Sequence, residues 1–282
     1  MSYTLGIDVS HNNGVINWSA LKGTGKAQFA VIRICHGLTI DRQFTANLFA
    51  CKAYKIPYAF YWYAESATVA GAQAEAKFAL SKIAGSSPLF VAYDAECVAL
   101  SALGKNDTTD VAWAACEAIK NAGYASWIYT NENWRKNEID IQYLKNKGVK
   151  FWYARYTGQT PNNANYSSMC GIWQYSCTGK LSGNASQYID LDICYDTGIN
   201  SKILASTAKA DYIDTTVLKT SVGKTYQFKS GAPLTAANGD TYLKKISETH
   251  TDGFYYTKYQ AIKRGTIGVY MRGIRRCVAT IQ

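Results

Sequence analysis

Proline is scarce in this 282-residue sequence, at four, and charged residues reach only 18%. Neither value fits a disordered polymer, which needs high charge and little apolar content. With 48% hydrophobic residues, the chain can bury one large barrel, or a domain of about 200 residues plus a small one. No apolar run approaches the roughly 18 residues that span a bilayer, and the opening MSYTLGIDVS lacks a basic segment followed by an apolar core. The expectation is synthesis in a cytoplasm without a signal peptide or membrane anchor.

Histidine is limited to three positions, and no CxxC, HExxH, P-loop, GxGxxG or GxSxG pattern occurs. The eight cysteines, at 35, 51, 97, 116, 170, 177, 194 and 277, form no cluster with histidine. Reduced, mostly buried thiols are expected rather than a zinc site, with Cys170 and Cys177 the pair that could meet across a loop. No metal and no cofactor are expected.

Acidic residues run short only at one end. Residues 1–200 hold 17 Lys+Arg against 15 Asp+Glu, whereas residues 201–282 hold 13 against 5, a net charge of +8. Such a tail is drawn to polyanions, although charge alone fits a solvated basic surface equally well. Its basic residues are scattered through strand-like runs without a helix-turn-helix, RNA-recognition or zinc pattern, which argues against nucleic acid as the partner.

Eight strand-like apolar runs recur in the first 200 residues: 3–9, 29–34, 57–63, 88–96, 125–130, 149–156, 171–176 and 188–195. Segments of helical composition at 68–85, 108–123 and 131–148 alternate with them, each closed by glycine. The alternation predicts an α/β fold, an irregular (β/α)8-type barrel over residues 1–199. Between the last two runs, 177–187 is too short for a crossover helix and reads as a hairpin-like loop. A linker is expected at 200–208, followed at 209–282 by a small basic all-β domain, a sandwich or an SH3-like barrel.

Carboxylates recur where such strands would end: Asp8 in GIDVS, Asp94 and Glu96 in AYDAE, Asp190 and Asp192 in YIDLDICY. A parallel barrel gathers its strand C-termini at one mouth. Residues two apart on a strand face the same side, so Asp94 and Glu96 would share a space, and two sheltered carboxylates that close push one pKa upward. A protonated acid beside an ionised one is what glycosidic cleavage needs. A lone DxE also serves as a helix cap with a salt-bridge partner; it is the recurrence that favours catalysis. Tyr61, Tyr63, Tyr129, Trp152, Tyr156 and Trp173 fall in or beside the same strands, where flat rings could meet sugar faces, with Arg33 and Gln174 as hydrogen-bonding partners. Aromatics are also ordinary strand and core residues, and Trp62 and Trp152 fit barrel packing as well. His11 could line the mouth or be polar surface.

The segments GIDVSHNNGVINW, FAVIRICHG, AFYWYAES, AYDAE, WYARY and WQYSCTGKLSGNASQYIDLD together resemble glycoside hydrolase family 25, the Chalaropsis-type lysozymes or N-acetylmuramidases, in order over about residues 4–195. The resemblance implies an irregular β/α barrel that hydrolyses the β-1,4 bond between N-acetylmuramic acid and N-acetylglucosamine. It implies Glu96 as general acid, Asp94 as its partner, and Asp8 and Asp190 as the other acids of the site. Tyr61, Tyr63, Tyr129, Trp152, Arg33 and Gln174 would line the sugar groove. Tyr93 and Asn13 stand where the family often has an aliphatic residue and glutamine. Peptidoglycan is then the expected partner, with anionic wall polymers a further ligand, and a phage endolysin acting on the wall after release fits the expected lack of a signal peptide. The alternative is a wall-glycan-binding protein without catalysis, against which the intact Asp94 and Glu96 argue.

Overall fold

The computed structural model describes residues 3–184, 186, 188–251 and 254–282. The chain divides into two compact units, Met1–Ile203 and Leu204–Gln282.

The first unit runs β1 Thr4–Val9, α1 Trp18–Gly23, β2 Phe29–His36, β3 Thr39–Ile40, α2 Phe44–Tyr54, β4 Tyr58–Tyr63, α3 Val69–Lys82 and β5 Val91–Asp94. It continues through α4 Val98–Ser101, α5 Lys105–Asn121, β6 Ser126–Asn131, α6 Glu132–Asn137, α7 Ile141–Asn146, β7 Lys150–Ala154, β8 Ile172–Gly179 and β9 Ile189–Cys194 into α8, Thr197–Asp211. All eight predicted barrel strands form. In spatial order they are β1, β9, β8, β7, β6, β5, β4 and β2, and β1 also pairs with β2, so the sheet closes, with β3 hung outside on β2. Every barrel pairing is parallel except those of β9, which runs antiparallel to both β8 and β1. The short connection between β8 and β9 dictates this reversal. It also brings the start of β9 to the same mouth as the ends of the other strands, and Asp190 pairs directly with Asp8.

Period two sorts the side chains into two apolar clusters. Ile7, Ile32, Phe60, Tyr93, Ile128, Tyr153 and Trp173 face outward and pack with the helices, to which α3, α5 and their neighbours contribute Ala76, Ala112, Ile119 and Leu144. Phe29, Val31, Phe90, Trp127, Trp152, Ile172 and Cys194 fill the barrel interior. Gly6 is part of that fit, because a Cβ there would lie 2.3 Å from the Phe29 ring. Ile199 and Ile203, one turn apart on α8, join the interior cluster, and Asp196 Oδ1 caps the helix at the Ile199 amide, 2.9 Å. Residues 200–208, read from the sequence as a linker, therefore lie within α8.

The second unit contains β10 Val217–Thr220, β11 Thr225–Ser230, β12 Leu234–Ala236, β13 Leu243–Thr251, β14 Phe254–Ala261, β15 Gly265–Met271 and β16 Ile274–Ile281. They form a four-stranded sheet in the order β10, β16, β15, β12 and a three-stranded sheet in the order β11, β14, β13. One core, including Leu218, Phe228, Leu234, Tyr259, Val269, Met271 and Ile281, joins residues of both sheets.

Candidate active site

The parity that places Phe29 and Trp127 inside the barrel also turns Asp8, Arg33, Tyr61, Asp94, Tyr129, Gln174, Asp190 and Asp192 inward, one or two positions closer to the mouth or on its floor. Pairing sets their order around the rim: Arg33 beside Tyr61, Tyr63 beside Asp94, Asp94 beside Tyr129, Tyr129 beside Trp152, and Gln174 beside Asp192. The acids named from the sequence thus meet in one place, in two groups.

Asp94 ends β5, and Glu96 follows just beyond the strand. The ladder persists through hydrogen bonds from the Ala64 amide to the Asp94 carbonyl, 3.0 Å, and from the Ala95 amide to the Tyr129 carbonyl, 3.2 Å. Tyr63 Oη donates to the Glu96 carbonyl, 3.1 Å, so this phenol holds the backbone that carries Glu96. Asp94 is buried and Glu96 half-buried. Burial first, and then the charge of Glu96, pushes the Asp94 carboxyl well above the usual carboxylate range, with Arg33 and the Glu96 amide pulling against it. Burial also raises Glu96, opposed by Asn131 and Thr130. Both acids are thus raised, by shelter from water and, for Asp94, by the neighbouring charge of Glu96.

The second group is Asp8, Asp190 and Asp192. Burial raises all three, and the charges of Asp190 and Asp192 push Asp8 further; Asp190 reaches about 6 and Asp192 about 8. Asp192 has no exposed surface. Its Oδ1 accepts from Trp152 Nε1 at 2.8 Å. Its Oδ2 is buried and accepts no hydrogen bond among the described residues. Gln174 Nε2 donates to Asp8 Oδ2, 2.6 Å. The Gln174 carbonyl in turn accepts from Tyr129 Oη, 2.7 Å, and from the Tyr156 hydroxyl. These bonds fix which way the amide points. Tyr61 is raised by burial and by Asp8, Asp94 and Asp190 together, and Tyr129 by burial and by Tyr156, Glu96, Asp94 and Asp8. Both phenols therefore stand between the two acid groups.

Other sequence expectations divide. Trp152 does not line an open groove: it is 1% exposed, packs edge-on against Tyr61 and Tyr129, and forms the floor beneath the acids. Arg33 Nε donates to Asp41 Oδ2, 2.9 Å, and its charge still reaches Asp94. Tyr93, one of the two departures from the family pattern, is fully buried on the outward side. Asn13, the other, bonds the Ser10 amide and the Tyr188 carbonyl. The sequence reading passed over Asp41, which burial would raise but which the His11 amide and ring, the Gln43 amide and Arg33 hold below its usual range. A cavity of about 350 Å³ lined by His11, Arg33, His36, Asp41, Arg42 and Glu65 opens beside this group. A larger cavity, about 540 Å³, borders the start of β7 and Asp196 at the other end of the strands, away from the acids.

Among the described residues, no group of three or more His, Cys, Asp or Glu is placed to hold a metal ion, and no helix is long and apolar enough to cross a membrane. All eight cysteines are free thiols, and Cys177 alone is exposed.

The family model for glycosyl hydrolases family 25 matches residues 7–184. Comparison with curated proteins gives no match. Among solved structures, the CTP1L endolysin is similar at 23% identity and a TM-score of 0.58, covering 78% of this chain and 74% of its own. The catalytic domain of endolysin ply40 from bacteriophage P40 of Listeria monocytogenes is similar at 22% identity and a TM-score of 0.57, covering 72% of this chain and 97% of its own. A bacterial lysozyme from Streptomyces coelicolor is similar at 22% identity and a TM-score of 0.58, covering 73% of this chain and 97% of its own.

Proposed function

This chain belongs to glycosyl hydrolases family 25, and from that premise we propose that it is a muramidase cleaving the β-1,4 bond between N-acetylmuramic acid and N-acetylglucosamine in peptidoglycan. The observation that carries the reading is the pair Asp94 and Glu96 at the mouth end of β5, both sheltered and both raised. Glu96 is the more accessible of the two and acts as general acid, passing its proton to the leaving glycosidic oxygen as the bond to the anomeric carbon breaks. The carbonyl oxygen of the muramyl 2-acetamido group attacks that carbon, and Asp94 orients the acetamido N–H and balances the positive charge that develops there. Water then opens the cyclic intermediate, with Glu96, now ionised, accepting its proton. Asp8, Asp190, Tyr61 and Tyr129 hold the sugar from the opposite side of the mouth.

The two similar endolysins support a place of action at the bacterial wall during phage lysis. The basic second unit would hold the enzyme on its insoluble substrate through effective concentration.

The test is release of reducing ends from purified peptidoglycan by wild type and Glu96→Gln. We expect a loss of about 10²–10⁴-fold, the usual worth of a general acid, with muramic acid at the new ends. Equal release by both proteins would end the assignment of Glu96. Inverted stereochemistry of the first-formed product, seen by NMR, would replace the acetamido route with direct attack by water.

A further inference from the structure

The three strands β11, β14 and β13 of the second unit carry one acid between them, Glu248. It sits opposite Thr257, whose hydroxyl donates to it at 2.9 Å, on the side that Phe228 and Tyr259 turn toward the core. Period two sends the alternate set to the other face. There, Lys229 pairs with Tyr256, Gln227 with Lys258, and Lys244 with Gln260. Phe254 stands on the same face as Tyr256, two residues away. Lys229 Nζ lies 4.3 Å from the Phe254 ring centroid and 5.9 Å from that of Tyr256, and Tyr212 meets Phe254 edge-on at 5.3 Å. The Asp214 carboxylate accepts from the Lys229 amide, 2.9 Å. The face thus combines flat rings, two amides and three ammonium groups, while the one acid of its described strands, Glu248, lies on the opposite side.

Its cations are all lysine. Arginine's planar fork fixes a carboxylate or a phosphate in one geometry, whereas lysine is a compact point charge that can meet the oxygens of a phosphodiester from any direction along a flexible polymer. Rings over which an ammonium already lies present apolar faces to the C–H side of a sugar or polyol and keep a cation at hand for its anionic neighbour.

We propose that this sheet face binds an anionic wall glycan whose repeat carries phosphodiester groups, with Phe254 and Tyr256 against the carbons and Lys229, Lys258 and Lys244 against the phosphates. The proposal rests on the muramidase reading only for taking the wall as the source of the polyanion.

The experiment uses the full-length chain carrying Glu96→Gln, so that walls are not consumed, and measures sedimentation with purified bacterial walls of known phosphorus content. The walls are tested before and after hydrofluoric acid, which cleaves phosphodiesters and leaves the glycan strands. We expect binding at least tenfold weaker on treated walls. The same loss is expected for Lys229→Gln with Lys258→Gln, and separately for Tyr256→Ala, on untreated walls, with salt weakening only the unsubstituted protein strongly. Undiminished binding to treated walls would reject the phosphodiester ligand, and undiminished binding by the substituted proteins with native unfolding profiles would reject the face. With Glu96 restored, the same lysine substitutions should leave cleavage of soluble glycan strands unchanged. If the unsubstituted enzyme fails to cut those strands, the muramidase reading falls, and the sedimentation result stands by itself.

Discussion

Replacing Asp192 by asparagine should make the first unit more stable at neutral pH, although it removes a buried group that accepts a hydrogen bond. Asp192 is held at about 8 by burial and by the charge of Asp190, against the downward pull of its bond with Trp152 and its contact with Asp8; an unfolded aspartate lies at about 3.9. The folded protein therefore keeps a proton here that the unfolded chain has already released. Below about pH 4 both states carry it and folding is indifferent to pH. As pH rises from there through about 8, folding must take the proton up from an increasingly dilute supply, and stability falls by about 1.4 kcal/mol per pH unit. Between pH 5 and pH 7 that amounts to ~3 kcal/mol. Asparagine keeps the acceptor for Trp152 Nε1 and does not titrate. The variant should match wild type near pH 4 and exceed it by ~4 kcal/mol at pH 7. Urea unfolding followed by tryptophan fluorescence is selective, since every tryptophan lies at or before residue 173, within the first unit. Parallel pH profiles, or a variant weaker than wild type at pH 7, would refute the proton assignment.

Gln174→Met keeps the volume but strips Asp8 and Tyr129 of their shared partner; two buried groups left unsatisfied should cost ~2–5 kcal/mol in urea unfolding at pH 6. An unchanged midpoint would show that water replaces the amide. Gly6→Ala should cost about 1–3 kcal/mol by driving a methyl into the Phe29 ring, and thermal unfolding would expose the error if the melting point holds. Hydrolysis should fade as pH rises through the raised titration of the Asp94 and Glu96 pair, because the acid form is the competent one; a rate that climbs steadily into alkali would contradict it. Native protein should react with one equivalent of a thiol reagent, at Cys177, and with eight after denaturation; several reactive thiols in the native state would show that the buried ones are accessible.

The barrel strands were legible because each is short, apolar and bounded by turn residues, and the reversal of β9 was legible because 177–187 is too short to cross over. Candidate acids were legible because a carboxylate at the end of an apolar run has few other uses. The hub at Gln174 was foreseen only as a sugar ligand. Its bond to Asp8 spans 166 positions, and no local pattern announces a partner that far away. Trp152 shows the converse limit. A ring at the right parity faces inward, but sequence does not tell how deep in the barrel it sits. Residues 200–208 were read as a linker because Ile199 and Ile203 are the only buried apolar residues among the described early turns of α8, too few for a visible apolar stripe.

That helix sets a rule for anyone who cuts or recombines this gene product. The family match stops at residue 184, yet β9, which closes the barrel and carries Asp190 and Asp192, begins at Ile189, and the floor is plugged by Ile199 and Ile203. During synthesis, the barrel cannot complete its interior until the ribosome has passed residue 203. A graft or truncation placed at the homology boundary would yield an open sheet without Asp190 and Asp192; the smallest interchangeable piece runs through the first turns of α8.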